Sequence, residues 1–188
     1  MNVYDFDGTI YNGDSTVDFF FYALKKKPGL LRILPRQAVG FALYACKRIT
    51  KTQMKERFFR FLAGMDAAAC VESFWDANQE KIFDWYPLQQ KKDDIVISAS
   101  PEFLLTPICK RLGIAHLIAS RVDVHSGKFT GENCHGQEKV TRLYAEYPAA
   151  QIDSFYSDSL SDLPLAKLAK EAFLVKDGKV TEWSNRTT

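Results

Sequence analysis

The chain has 188 residues, 46% hydrophobic and 13% aromatic, with a formal net charge of +2. This is an ordinary globular composition, long enough for a sizeable core in one domain with a large insertion or in two small domains. Its four cysteines, Cys46, Cys70, Cys109 and Cys134, form no CxxC pair and have no ligand-like spacing, which excludes a zinc site or a disulfide framework and fits a reducing cytoplasm.

Charge is spread unevenly. Residues 25–60 hold eleven Lys/Arg against the single acid Glu56, a local balance of +10 that leaves −8 for the rest. The basic segment either faces something anionic, a phosphorylated small molecule or a lipid headgroup, or forms a solvated helix face. No nucleic-acid partner is expected, and oligomeric state is not legible. Because the chain opens directly on a strand, no signal peptide is expected. The longest charge-free apolar stretch of the basic segment, residues 37–46, is too short to span a bilayer, so contact at the inner face of a membrane is open and crossing is not.

Asn2-Val3-Tyr4 reads as a strand that delivers Asp5 and Asp7 at alternate positions, hence to one face, before Gly8 turns the backbone away. After Gly13 the period becomes helical, with Val17, Phe20, Phe21 and Leu24 on one stripe and Asp14 or Ser15 as N-cap. That helix stops near Lys27, before Pro28-Gly29. Further helices are expected over Leu30–Arg48, with a kink or restart at Pro35, over Thr50–Leu62, and over Ala67–Trp85. Residues 13–91 thus read as an all-helical block without strands, its many phenylalanines forming bundle core.

An α/β rhythm follows: strand Ile95–Ile97, helix Pro101–Leu112, strand His116–Ala119, a β-hairpin flap Arg121–Gly131, helix Gln137–Tyr147, strand Ile152–Tyr156, helix Leu163–Lys170 and closing strand Ala172–Val175. Alternation of this kind implies a parallel sheet whose functional crevice lies at the carboxyl ends of its strands, where Asp5, Ser98 and Asp158 fall. The predicted fold is a Rossmann-like three-layer α/β core, residues 1–12 and 92–188, with a helical cap, 13–91.

Phosphate monoesters repel nucleophiles, so a site for them must neutralise charge and align the attacking and leaving groups. Asp5 and Asp158 offer the hard oxygens that Mg²⁺ prefers, Lys139 a fixed cation and Ser98 a hydroxyl. Asp5 can attack phosphorus, and Asp7 can protonate the leaving oxygen and later deprotonate water. His116, His125 and His135 receive no role.

Asp5-Phe6-Asp7-Gly8-Thr9, Ser98 in Val-Ile-Ser-Ala-Ser-Pro, Lys139 in Gly-Gln-Glu-Lys-Val and Tyr156-Ser-Asp-Ser-Leu-Ser-Asp162 resemble the four ordered motifs of the haloacid-dehalogenase superfamily. A helical block between the first two motifs is similar to the subfamily IB that includes phosphoserine phosphatase. The resemblance implies Asp5 as nucleophile and Asp7 as acid/base. It further implies magnesium on the Asp5 side chain, the Asp7 carbonyl and Asp158, shared or supported by Asp162, and phosphate held by Ser98, Ala99, Lys139, Gly8 and Thr9. Ser161 departs from the pattern, since many relatives carry Asn there. Asp14 lies near where phosphoserine phosphatases place a carboxylate that meets the substrate amine, although it is equally a helix cap. The apolar, basic stretch Lys25–Arg60 looks instead like the phosphatidylglycerophosphatase C family, which implies an anionic lipid phosphate. A non-enzymatic anion-binding module is the alternative of another class.

Overall fold

The structure is a computed structural model that describes residues 1–184; positions 185–188, the end of the expected core, lie outside the described residues. One six-stranded sheet organises it. Its strands are β1 (Asn2–Tyr4), β2 (Ile95–Pro101), β3 (His116–Ser120), β4 (Ser154–Ser157), β5 (Glu171–Lys176) and β6 (Lys179–Glu182), in the order β3-β2-β1-β4-β5-β6. β1 to β5 are parallel, with Val3 registered against both Ile95 and Phe155.

Eight α-helices flank the sheet among the described residues: α1 (Ser15–Lys26), α2 (Leu34–Ala45), α3 (Lys51–Phe59), α4 (Ala67–Asn78), α5 (Trp85–Gln89), α6 (Glu102–Arg111), α7 (Gln137–Glu146) and α8 (Leu163–Ala166). Alternation along the strands divides the core between the two faces. Val3, Ile95, Ile97 and Phe155 pack with Leu143 of α7 and Leu165 of α8. Tyr4, Val96 and Tyr156 pack with Phe19, Phe74, Trp75 and Leu104 of α1, α4 and α6. The result is the expected three-layer α/β architecture.

Several element boundaries differ from the sequence reading. β6, which it lacks, pairs antiparallel with β5 across Asp177-Gly178, both at positive φ, as a tight hairpin requires. All four of its residues are exposed, so no apolar alternation announces it. The helix expected over Leu30–Arg48 is a 3₁₀ segment, Pro28–Ile33, followed by α2, which carries Pro35 in its first turn. The helix expected over Ala67–Trp85 ends at Asn78. After a 3₁₀ turn, Gln79–Lys81, the chain extends so that Phe83 N–H donates to the Ile10 carbonyl at 2.9 Å and Ile82 bridges Tyr11, a short β contact inside the block read as strand-free. α5 starts only afterwards, with Pro87 in its first turn, and packs Trp85 and Tyr86 on Tyr4. The helix expected over Leu163–Lys170 shrinks to α8, and the flap Arg121–Gly131 is held by one bridge, Val122 to Phe129.

Most of the helical block's aromatics are core, but Phe21 and Phe41 are 53% and 48% exposed. α4 and α5 lie against the sheet side of the molecule: the Trp75 indole N–H donates to the Leu104 carbonyl at 2.7 Å, and Gln89 reaches the Tyr4 hydroxyl. Residues 28–62, by contrast, arch over the carboxyl ends of the strands. The flap braces this arch, since Phe129 N–H donates to Glu56 Oε1 at 3.1 Å and Gly127 lies so close to the Phe59 backbone that a Cβ would collide with it.

Candidate active site

A cleft of about 1000 Å³ opens between the strand ends and the arch, and Asp5, Asp7, Gly8, Asp14, Ser98, Ala99, Lys139, Asp158 and Asp162 all line it. Asp5 follows β1 directly, and its N–H donates to the Tyr156 carbonyl at 2.9 Å, extending the β1–β4 ladder by one residue. This fixes the buried carboxylate, whose Oδ1 accepts Phe6 N–H at 2.8 Å and lies 3.0 Å from Lys139 Nζ. Burial raises its pKa well above the carboxylate range against the pull of Lys139, with Asp162 and Asp7 adding repulsion.

Lys139 enters on the first turn of α7 behind Gly136, which has φ +59. Its ammonium is buried and bridges Asp5 to Asp162 Oδ2, 2.7 Å away. The same Asp162 oxygen accepts Ser157 Oγ–H at 2.9 Å. The other oxygen, Asp162 Oδ1, is buried without a hydrogen-bond partner.

Asp158 follows β4. Its N–H donates to Thr9 Oγ1 at 3.0 Å, and its carboxylate packs over Gly8, where a Cβ would overlap it. Gly8 also has φ +67, so both its backbone and its missing side chain are needed. Thr9, read as a phosphate contact, is fully buried and spends its hydroxyl on tying the first motif to the fourth.

Asp7 turns toward α1. Its Oδ1 accepts Ser15 N–H at 2.7 Å at that helix's amino end, and its Oδ2 accepts Ser100 Oγ–H. Burial, then repulsion from Asp14, hold its pKa at about 6, with the Ser100 and Ser15 bonds pulling the other way. Such a group can both give and take a proton near neutral pH. Asp14 is the N-cap of α1, accepting Val17 N–H at 3.0 Å, so its helix-cap role is realised.

Ser98 and Ser100 lie in β2 at a register shift against β3, a bulge that re-aims the strand end into the cleft. Ser98 is buried and its Oγ accepts Ser100 N–H at 3.0 Å. Ser100 is a site residue that the sequence reading missed. The signal was available: it stands two residues beyond Ser98 on one strand. Lys51 and Lys55 of α3 also line the cleft and were missed as individuals, though they belong to the basic segment read as facing an anion. Burial pushes the Cys134 thiol up to about 11, so this cysteine beside His135 is not activated. Among the described residues, no three His, Cys, Asp or Glu side chains gather as a metal cage.

Residues 3–167 match the family of haloacid dehalogenase-like hydrolases. The chain belongs to this family. A probable phosphatase of Mycobacterium tuberculosis is 36% identical over 107 residues, 49% of this chain and 37% of that longer protein. The chain therefore spans well under half the length of that relative. A histidinol-phosphatase of Neisseria meningitidis is 26% identical over 221 residues, covering 97% of this haloacid dehalogenase-like chain and 96% of the relative. Among solved structures, a protein of unknown function from Bordetella pertussis superposes with a TM-score of 0.73 at 21% identity, covering 92% of this chain and 87% of the other. A probable phosphoserine phosphatase from Vibrio cholerae gives 0.66 at 11% identity, covering 91% and 55%. These likenesses show a shared fold, and residues 3–167 place the chain among the haloacid dehalogenase-like hydrolases.

Proposed function

We propose that the protein is a Mg²⁺-dependent phosphatase that hydrolyses a phosphate monoester through an aspartyl-phosphate on Asp5. The observation that carries this reading is the union of Asp5, Ser98, Lys139 and Asp158, distant in sequence, in one cleft at the strand ends. Within the block 13–91, residues 28–62 act as a cap over a core that includes 1–12 and 92–184.

The donor set suits magnesium. Asp158 has its carboxylate over Gly8, Asp162 Oδ1 is buried without a partner, and all candidate donors are hard oxygens. The Asp5 and Asp158 side chains with the Asp7 carbonyl would hold the ion, with Asp162 beside it. When bound, Mg²⁺ offsets the negative charge gathered around the transferring phosphoryl group. Asp5 attacks phosphorus and the ester P–O bond breaks, while protonated Asp7 gives its proton to the leaving oxygen. Asp7 then takes a proton from water, which attacks phosphorus of the acyl phosphate, breaking its bond to the Asp5 oxygen, releasing inorganic phosphate and restoring Asp5. Lys139 and Ser98, with the backbone of Ala99, hold the phosphoryl oxygens; the Gly8 and Thr9 N–H groups, read as further phosphate contacts, donate instead to the Gly13 and Phe6 carbonyls.

Hydrolysis of 4-nitrophenyl phosphate with and without Mg²⁺ tests this, comparing wild type with Asp5→Asn. Metal-dependent turnover lost in the variant supports it; equal rates in the two proteins contradict it and favour an anion-binding module.

The neisserial relative's name points to a small alkyl phosphate as substrate. One observation favours a lipid phosphate at a membrane surface instead. α2 buries only Gln37 and Gly40 and exposes Val39, Phe41 and Tyr44 in a stretch that also carries Arg32, Arg36, Lys47 and Arg48. Apolar side chains exposed around a helix with basic flanks suit an anionic headgroup layer. No helix among the described residues is long and apolar enough to cross a membrane. Co-sedimentation with vesicles rich in anionic lipid, strong at low salt and weak at high salt, supports this reading, and equal behaviour with zwitterionic vesicles rejects it.

A further inference from the structure

The arch places two cations in the cleft that none of the steps above uses. Thr50 caps α3 with a reciprocal bond pair, its Oγ1 accepting Gln53 N–H at 3.1 Å and Gln53 Oε1 accepting Thr50 N–H at 2.9 Å. This fixes the helix start, and Lys51 and Lys55 then stand four residues apart, on one helix face. Both line the same cleft as Asp5 and Ser98. Neither has a carboxylate partner among the described residues.

Lys55 is partly buried. Its ammonium donates to the Ala99 carbonyl at 2.8 Å and to Asn133 Oδ1 at 2.9 Å, both neutral acceptors. These acceptors are themselves held, since Ser120 Oγ–H lies 3.0 Å from the Ala99 carbonyl and 3.2 Å from Asn133 Oδ1. One ammonium proton of Lys55 has no partner among the described residues. Of the acids that face Lys55, Asp14 caps α1, Asp7 accepts from Ser15 and Ser100, and Asp5 is paired with Lys139; Lys51 is drawn chiefly toward Asp162, whose Oδ2 is held by Lys139 and Ser157. Two like charges held side by side in a partly enclosed cleft are unfavourable unless something opposite arrives. Burial, and for Lys55 the charge of Lys51, accordingly lower the pKa of both lysines. Around them the wall is apolar, with Val17, Phe41, Met54 and Phe58.

We propose that Lys51 and Lys55 form a second anion-binding subsite, so that the substrate is a phosphate monoester carrying another negative group, a carboxylate or a phosphodiester. The inference rests on the phosphatase reading and deepens it. Lys139 serves the transferring phosphoryl group, and the α3 pair serves the second charge. Lys55 additionally joins the cap to the bulged end of β2 at Ala99, so a filled subsite fastens the arch over the phosphate.

The test compares kcat/KM within two pairs of esters that differ in a second charge. One pair is phosphoglycolate against ethyl phosphate; the other is phosphatidylglycerophosphate against phosphatidic acid, both in mixed micelles. A preference of at least about tenfold for the doubly anionic member is expected in one pair, as a charge-assisted bond provides. A preference in the first pair assigns a carboxylate, and in the second a phosphodiester. Lys51→Gln should cut that preference to below about threefold, and Lys51→Arg should keep it. Equal values within both pairs in wild type overturn the subsite, as does a preference that survives Lys51→Gln and Lys55→Gln alike. Absence of any turnover, 4-nitrophenyl phosphate included, is a failure of the phosphatase reading. Calorimetric titration of the same pairs then decides the subsite alone, equal Kd values overturning it.

Discussion

Ser100 Oγ–H donates to Asp7 Oδ2, joining the middle of the β2 bulge to the carboxylate assigned the proton transfers. The bond favours the ionised carboxylate, so it opposes the burial that holds Asp7 at about 6. Ser100→Ala should therefore raise this pKa and move the acidic limb of the kcat profile to higher pH, with turnover at pH 6 falling by about tenfold, the usual scale for one positioned proton-transfer partner. A pH–rate profile of the two proteins checks it; an unshifted limb removes Ser100 from the machinery.

Lys139 is buried between Asp5 and Asp162, and removing it leaves two buried carboxylates without their cation. Lys139→Met should destabilise by about 3–5 kcal/mol at pH 8. Asp5 is already raised by burial, and losing Lys139 raises it further, so the variant's Asp5 holds its proton up to higher pH and the repulsion between carboxylates eases as pH falls. The loss measured by urea unfolding should thus be smaller at pH 5 than at pH 8.

Gly8 combines φ +67 with contact against the Asp158 carboxylate. Gly8→Ala should cost about 1–2 kcal/mol from backbone conformation alone and should also displace Asp158. Urea unfolding reads the first effect. A higher Mg²⁺ concentration for half-maximal activity reads the second.

Lys55 has a pKa lowered to about 8, first by burial and then by Lys51. Folding depresses it below the ordinary lysine value near 10.4, so the unfolded chain holds the proton more tightly and this group's contribution to stability rises from about pH 8 to pH 10. Anion binding runs the opposite way, because only the charged lysine attracts an anion. KM for a doubly anionic substrate should climb by up to about tenfold per pH unit above 8, and Lys55→Arg should flatten that climb.

How much was legible follows from what each residue shows locally. Asp5, Asp7, Ser98, Lys139 and Asp158 could be placed together because each follows or opens an element whose period is plain, and parallel strands bring their carboxyl ends to one edge. Asp14 could not be decided, since a carboxylate before a helix suits a cap and a ligand equally; the bond to Val17 shows the cap. β6 was invisible because all of its side chains face solvent. The break after Asn78 was hidden because Ile82 and Phe83 continue the apolar content of the helix while pairing with Ile10 and Tyr11, an interaction with residues some seventy positions earlier. Lys55 was one of eleven basic residues in its segment, and only tertiary contacts with Ala99 and Asn133 single it out.

The nucleophilic role of Asp5 is tested most directly by acid-quenching the enzyme during turnover and mapping the covalent phosphoryl group by peptide mass spectrometry. The expected result is a base-labile, hydroxylamine-sensitive adduct on Asp5 that accumulates in Asp7→Asn. An adduct on Ser98 or another residue, or rapid turnover of an enzyme that never carries phosphoryl on Asp5, would contradict it.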